Sequence, residues 1–318
     1  MQTDLIYDVG LHHGDDTAYY LTKGFRVLAI EANPVLARNC EKRFSSDIRE
    51  GRLRILNVGI GPSEGHFTFW VHRVHDEWSS FIRNPSWKGE DCEAISVRCV
   101  PFERILVEHG TPFYLKVDIE GADKLVIQAL DREHTPRYIS FEGGSDTVRN
   151  LCRLTELGYN EFKCIDQTTH NFPQKALSVN NEDRWNRARR RFAAWKWETT
   201  RRLGLDDSWL ASVWRTVRKL GSRQPTVEPT DARTSAGWIF PTGSSGPFGE
   251  DTPGGWQSLD ELLYNWLHRR FRRFDRGTLR AEPWYDIHAR LDTVQAESDC
   301  QSSFGFQTSA TTPDSRSD

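Results

Sequence analysis

The chain has 318 residues, of which 37% are hydrophobic and 27% charged, with a formal net charge of -3 at pH 7. That length holds one full α/β core with much left over, and so small a net charge excludes a general attraction to nucleic acid or anionic lipid. No run of about 18 apolar residues is present to span a membrane, no charged-then-apolar leader precedes Asp4, and the six cysteines lack C-x-x-C spacing, so reduced thiols and a cytoplasmic setting are expected.

The first predicted strand lies in Asp4-Leu-Ile-Tyr-Asp-Val-Gly-Leu-His-His-Gly14, an apolar run closed by Asp8, Gly10 and Gly14. A short helical segment follows, which Asp15-Asp-Thr17 can cap and whose N-terminus favours a carboxylate or phosphate. The next strand, in Val27-Leu-Ala-Ile-Glu-Ala-Asn-Pro34, closes on Glu31, about twenty residues after the first, as an α/β nucleotide-binding unit does. Its glycines let the backbone approach a ligand, and Glu31 can accept both hydroxyls of a ribose. The dinucleotide pattern G-x-G-x-x-G is absent, because Leu11 and His12 follow Gly10 and the next glycine is Gly14. G-x-x-x-G after an acid suits a cofactor without a pyrophosphate, such as S-adenosyl-L-methionine. The alternative is a tight strand-to-helix turn with no cofactor.

A third strand, Arg54-Ile-Leu-Asn-Val-Gly-Ile-Gly61, ends at Asn57, whose amide can border an adenine ring. Gly65-His-Phe-Thr-Phe-Trp-Val71 alternates like a strand and pairs plausibly with Ile95-Ser-Val-Arg-Cys-Val100, an extra hairpin. Between them, 72–93 holds His72, His75, Trp78, Ser79, Ser80 and Trp87, either an acceptor wall at the cofactor edge or a surface loop. Pro112-Phe-Tyr-Leu-Lys-Val-Asp-Ile-Glu-Gly121 is an apolar strand with two acids at its tip and a helix behind it, and Arg137-Tyr-Ile-Ser-Phe-Glu142 repeats the arrangement with one. Acids gathered at the carboxyl ends of parallel strands sit at the ligand crevice of an open α/β sheet. Segments within 156–166 and 176–179 read as closing strands, which bounds a domain at 1–180.

With these residues in hand, 4–142 resembles the FkbM family of S-adenosylmethionine-dependent methyltransferases. The resemblance rests on Asp8-Val-Gly10 with Gly14 and Thr17, on Ile30-Glu-Ala-Asn-Pro34, on Val58-Gly-Ile-Gly61 with Glu64-Gly65, and on Leu115-Lys-Val-Asp-Ile-Glu-Gly-Ala-Asp123. The last, a K-x-D-x-E-G-A-[DE] signature, is the most specific. The family implies a doubly wound, Rossmann-like methyltransferase sheet, usually acting on a hydroxyl oxygen. Asp8, Gly10, Gly14, Thr17, Glu31, Asn33, Asn57 and Asp118 are the expected cofactor residues. The family often carries Asn in the first loop, where this chain has His12.

From 181 the composition changes, 184–220 being rich in Arg and Trp, and a mainly helical accessory region is expected over 181–296. Trp185, Phe192 and Trp195 fall near helical spacing. Ser258-Leu-Asp-Glu261 is a capping box before an amphipathic face of Leu259, Leu262, Leu263, Trp266, Leu267, Arg270, Phe271 and Phe274, closed by Gly277. Such stripes are packing surfaces, against the catalytic domain or a second copy of the chain; arginines among aromatics can also stack on nucleic acid, which is not expected here. The glycine- and proline-rich 241–255 is either a lid over the acceptor or a loop joining two helices. Segments like it, with a Trp284-Tyr-Asp-Ile-His-Ala-Arg290 stretch, occur in longer relatives. The Ser/Thr/Gln/Asp-rich 297–318 is expected to be disordered.

Methyl transfer from a sulfonium is an in-line displacement that needs positioning and a base for the acceptor proton. Asp118 and Glu120 are expected to point to opposite faces unless the strand ends between them. Asp118 is assigned to the cofactor's amino group or the reacting site, and Glu120 to acceptor or loop positioning. His12 and His13 are alternative bases. Asp118, Glu120 and Glu142 could instead gather a divalent ion, but spacing forces no further ligand, and no metal is assigned. The expected acceptor is a small molecule or glycan. A nicotinamide-dependent oxidoreductase would use the same first strand and Glu31, but neither the pyrophosphate glycine nor a Tyr-x-x-x-Lys is found; a non-catalytic binding module would not need acids on every strand tip.

Overall fold

Buried parallel strands read as continuous apolar runs because helices cover both faces of the sheet. The computed structural model, which describes residues 1–83, 91–167, 232–233, 237–241, 244–274 and 285–291, has this construction. Strand β1 (Gln2–Val9) leads through helix α1 (Asp15–Thr22) to β2 (Arg26–Ile30), and through α2 (Pro34–Arg43) and α3 (Ser45–Arg49) to β3 (Leu53–Leu56). A short β4 (Gly59–Ile60) and the predicted hairpin, β5 (Gly65–His72) and β6 (Cys92–Val100), come next. Then follow α4 (Phe102–His109), β7 (Pro112–Val117), α5 (Asp123–Ala129), β8 (Tyr138–Glu142), α6 (Thr147–Glu156) and β9 (Glu161–Asp166). The later elements are β10 (Ala232–Arg233), β11 (Ile239–Phe240), α7 (Leu259–Phe274) and β12 (Tyr285–Arg290).

Seven strands form the main sheet in the order β3-β2-β1-β7-β8-β12-β9. The first five are parallel, and β12 runs antiparallel to both of its neighbours. The chain builds outward from β1 in one direction and from β7 in the other, so their carboxyl ends flank a topological switch point, where open α/β sheets bind ligands. One strand of this sheet thus comes from beyond the 1–180 boundary read from the sequence. The strand expected within 176–179 lies outside the described residues, as do the stripe at Trp185, Phe192 and Trp195, Gly277 and the 297–318 tail. A second sheet, β4-β6-β5, carries the hairpin.

Alternation along β1 distributes its side chains between two layers. Leu5, Tyr7 and Val9 join the core under α4 to α7. Ile6 faces the opposite layer with Tyr19, Tyr20, Tyr114 and Phe248. The capping box forms at α7: the Ser258 N–H donates to Glu261 Oε2 (3.4 Å) and the Glu261 N–H to Ser258 Oγ (3.3 Å). Leu262 and Trp266 are buried, with Leu259 and Leu263 packed against the same core. Cys40, Cys99 and Cys152 are free thiols. Among the described residues, no helix is long and apolar enough to cross a membrane.

Phe248, in the glycine- and proline-rich segment, stacks on Tyr114 with ring centroids 4.1 Å apart and planes 7° from parallel. Beyond it, Lys163 donates to the carbonyl and hydroxyl of Thr252 (3.0 and 2.9 Å), and Asp251 accepts from Tyr19 (3.0 Å). These described residues pack on one face of the sheet.

Candidate functional site

The turn after β1 is shaped by Gly10 and by Glu31 at the end of β2. Gly10 has φ +92°, and a Cβ there would lie 1.9 Å from the Asp118 carbonyl oxygen, so no other residue fits. The N–H groups of Gly10 and Leu11 donate to the Ile30 carbonyl (3.0 and 3.1 Å), which draws the turn onto β2. His12 takes a left-handed backbone, φ +51°, and its N–H donates to Glu31 Oε2 (2.8 Å) while the Asn33 N–H donates to Oε1 (2.8 Å). The carboxylate is therefore fixed in plane by two backbone donors. Burial raises its pKa against those hydrogen bonds.

Glu31 lines a cavity of about 480 Å³ that also takes in Gly10, His12, Gly14, Lys116, Asp118, Glu120 and Glu142. Asp76, Glu77, Ser79 and Phe81 border it from the loop after β5, and Ser244 and Gln167 from the far side. This volume is in the range of small-molecule sites.

Behind the cavity lies a buried charge cluster that follows from strand register. Asp8 and Lys116 are paired neighbours on β1 and β7, facing the same layer as Ile6 and Tyr114. Lys116 Nζ donates to Asp8 Oδ1 (3.0 Å) and to the Gly10 carbonyl (2.9 Å), with Asp16 Oδ2 at 3.5 Å and Asp118 Oδ2 at 3.9 Å. Burial alone would lower the lysine's pKa, but Asp8, Asp16 and Asp118 hold it well above the ordinary value. Asp8 also accepts from the Thr17 hydroxyl (2.7 Å). Asp16 receives the Ser244 hydroxyl and the N–H groups of Ser245 (3.1 Å) and Gly246 (3.2 Å), which docks the glycine-rich segment beside the site.

The expectation that Asp118 and Glu120 face opposite ways is corrected here. Residues two apart on a strand share a face, and although β7 stops at Val117 and Glu120 has φ +41°, both residues line the same cavity. A second correction concerns α1, whose N-cap is Gly14 in a left-handed conformation with no side-chain cap; Asp16 and Thr17 are turned to the contacts just described.

Burial raises Glu120 to about 9, with Glu142 and Asp118 adding repulsion, and raises Glu142 to about 7 with the help of Asp118. Both therefore hold protons in the folded state that they lose near pH 4.5 in the unfolded chain. The folded state binds more protons across this window, so their contribution to stability falls as pH rises from about 4.5 towards 7 for Glu142 and 9 for Glu120. We expect Glu120→Gln, which stays neutral, to melt increasingly above the parent as pH is raised from 5 to 9, each kcal/mol recovered being worth about 2–4 °C. A melting difference that does not change with pH would contradict this.

Residues 8–164 match the sequence profile of the Methyltransferase FkbM domain. This part of the chain is an FkbM methyltransferase domain. Among solved structures, the methyltransferase FkbM from Methylobacillus flagellatus KT is similar at 21% identity over 48% of this chain and 36% of its own, with a TM-score of 0.32. The present chain thus aligns with about a third of that protein. The precorrin-6y C5,15-methyltransferase from Geobacter metallireducens GS-15 is similar at 16% identity over 52% of this chain and 69% of its own, TM-score 0.30. A SAM-dependent methyltransferase from Thiobacillus denitrificans, in complex with S-adenosyl-L-homocysteine, is similar at 11% identity over 91% and 86%, TM-score 0.28. No curated protein matches the chain.

Within the FkbM domain, Gly10, Gly14, Glu31, Asp118, Glu120 and His12 converge on one cavity. Asp8, Thr17, Asn33 and Asn57 do not line it. Asn33 caps α2 by accepting from the Val35 N–H (2.9 Å), and the Asn57 amide donates to the Glu31 carbonyl (2.8 Å). His12 and His13 both face Asp76, their Nε2 atoms 3.0 and 3.2 Å from its two oxygens. Of the loop residues singled out, Ser79 borders the cavity and Ser80 donates to the Glu120 carbonyl (2.8 Å); Trp87 lies outside the described residues. Sequence reasoning missed Lys116, Asp16 and Asp76 as parts of the FkbM site. A lysine in an otherwise apolar strand was a usable signal for the first; Asp76, in an irregular loop, offered none.

Proposed function

We propose that the chain is an S-adenosyl-L-methionine-dependent methyltransferase acting on a hydroxyl oxygen of a small molecule or glycan. The observation that carries the cofactor reading is Glu31: a carboxylate held by two backbone N–H groups at the end of β2, in the wall of the cavity formed by Gly10 and Gly14. Each oxygen keeps a lone pair for a vicinal diol such as a ribose. When bound, the cofactor would supply an electrophilic methyl group. Asp118, on the cavity side of the charge cluster, would receive the cofactor's amino group, with the Lys116 ammonium 3.9 Å away. Glu120 and Glu142 share the acceptor end, where the less protonated of the two can take the hydroxyl proton, a role worth roughly 10²–10⁴-fold. Phe81 and Ser79 bound that end from the loop after β5.

Glu31→Ala is expected to weaken S-adenosylhomocysteine binding ten- to hundredfold by calorimetry, the about 1.5–3 kcal/mol of a charge-assisted hydrogen bond, with the melting transition retained. Equal affinity in the variant would remove the ribose assignment. Binding of NAD, with no binding of S-adenosylhomocysteine by the parent protein, would favour the oxidoreductase instead.

A further inference from the structure

Two imidazoles and one carboxylate converge at the rim of the cavity in an arrangement that the methyltransferase reading does not use. The donor atoms of His12, His13 and Asp76 all lie within 4.8 Å of one another. Asp76 Oδ1 is 3.0 Å from His12 Nε2, and Oδ2 is 3.2 Å from His13 Nε2. The rings are neighbours, with centroids 4.0 Å apart. Consecutive residues seldom aim their side chains at one point; here the left-handed backbone of His12 allows it. Donors sharing one ion at about 2.0–2.2 Å each are separated by at most roughly 4.4 Å, so only a small contraction is needed.

We infer that His12, His13 and Asp76 form a binding site for one divalent transition-metal ion of the zinc, cobalt or nickel type. Two imidazoles with one carboxylate suit these ions, whereas calcium and magnesium prefer all-oxygen sets. Three protein donors leave further coordination positions open, as in sites that take an exogenous ligand. All three residues border the cavity. The site joins two parts of the fold, since His12 and His13 belong to the turn after β1 and Asp76 to the loop that carries Ser79 and Phe81. An ion there would clamp that loop to the turn and fix the acceptor side of the cavity. The inference does not depend on which cofactor binds, because the metal alone is the probe.

The test is titration of the metal-stripped full chain with Co²⁺ and Zn²⁺, followed by calorimetry and, for Co²⁺, visible ligand-field absorption. We expect one ion per chain, with His13→Ala and Asp76→Ala each weakening binding by at least about tenfold. His75→Ala is the control: His75 lies on the same loop but pairs with Glu77 (3.2 Å), and its removal should leave the affinity intact. Melting of each metal-free variant shows that it has folded. The inference is overturned if no stoichiometric ion binds, as expected of histidines merely ion-paired with Asp76. It is also overturned if His13→Ala and Asp76→Ala bind like the parent, or if His75→Ala loses as much as they do.

Discussion

A chain ending at residue 180 is expected to lack a cooperative melting transition and to aggregate, although it contains the whole FkbM match. The missing piece is β12. Five residues of β8 pair with it on one side and six of β9 on the other, so its removal opens a gap inside the sheet, not at its margin. Ile287 and Ala289 are fully buried, and two unpaired strand edges invite association with other chains. The site would be lost as well, because Asp286 lies beside Glu142 in register and accepts from Gln167 (2.6 Å), which borders the cavity. Calorimetry and size-exclusion chromatography of the shortened chain provide the check; soluble, cooperatively melting protein would contradict the expectation. A point variant gives a graded version: Ile287→Ala should cost about 2–5 kcal/mol.

Lys116→Met is expected to be the most damaging single substitution near the site. The ammonium is the cation shared by Asp8, Asp16 and Asp118, and Asp8 and Lys116 are both almost wholly enclosed. Removing one partner of such a group leaves the others charged and unpaired, typically costing about 3–5 kcal/mol. At about 2–4 °C per kcal/mol, the melting temperature should fall by roughly 6–20 °C. Adding Asp8→Asn should recover part of that loss, because one orphaned carboxylate is then neutral; a double variant no better than the single would show that the pairing is not the cause. Glu31→Ala leaves the N–H groups of His12 and Asn33 without their acceptor, so a smaller loss of stability, about 1–3 kcal/mol, should accompany its effect on cofactor affinity.

The sites legible in advance were those where backbone geometry constrains the residue. Gly10 had to be glycine because the Asp118 carbonyl passes so close, and Glu31 had to end β2 because the turn after β1 hangs from it. The parallel strands were legible because burial on both faces makes them continuously apolar. Asp118 and Glu120 were read on the wrong geometry: residues two apart on a strand share a face, and β7 in any case ends at Val117. Strand β12 escaped for the opposite reason. Tyr285-Asp-Ile-His-Ala-Arg290 alternates polar and apolar side chains like a half-exposed strand, yet it lies between two neighbours. Asp286 accepts from Gln167, and Arg290 donates to Glu161 and Glu250; pattern alone does not report such partners. Its distance from β9 along the chain hid it further.

The late position of β12 also sets a clock for the newly made protein. About 140 residues separate Glu142 from Asp286, and at about 5–20 residues per second a ribosome takes roughly 7–30 s to cover them. Contacts of such long sequence separation are slow to form even when both partners exist. Through that interval β8 and β9 have emerged without the strand that belongs between them. The first half of the molecule therefore waits on the ribosome with six of the seven strands of its main sheet made, and it is during synthesis that holding chaperones would have most to protect.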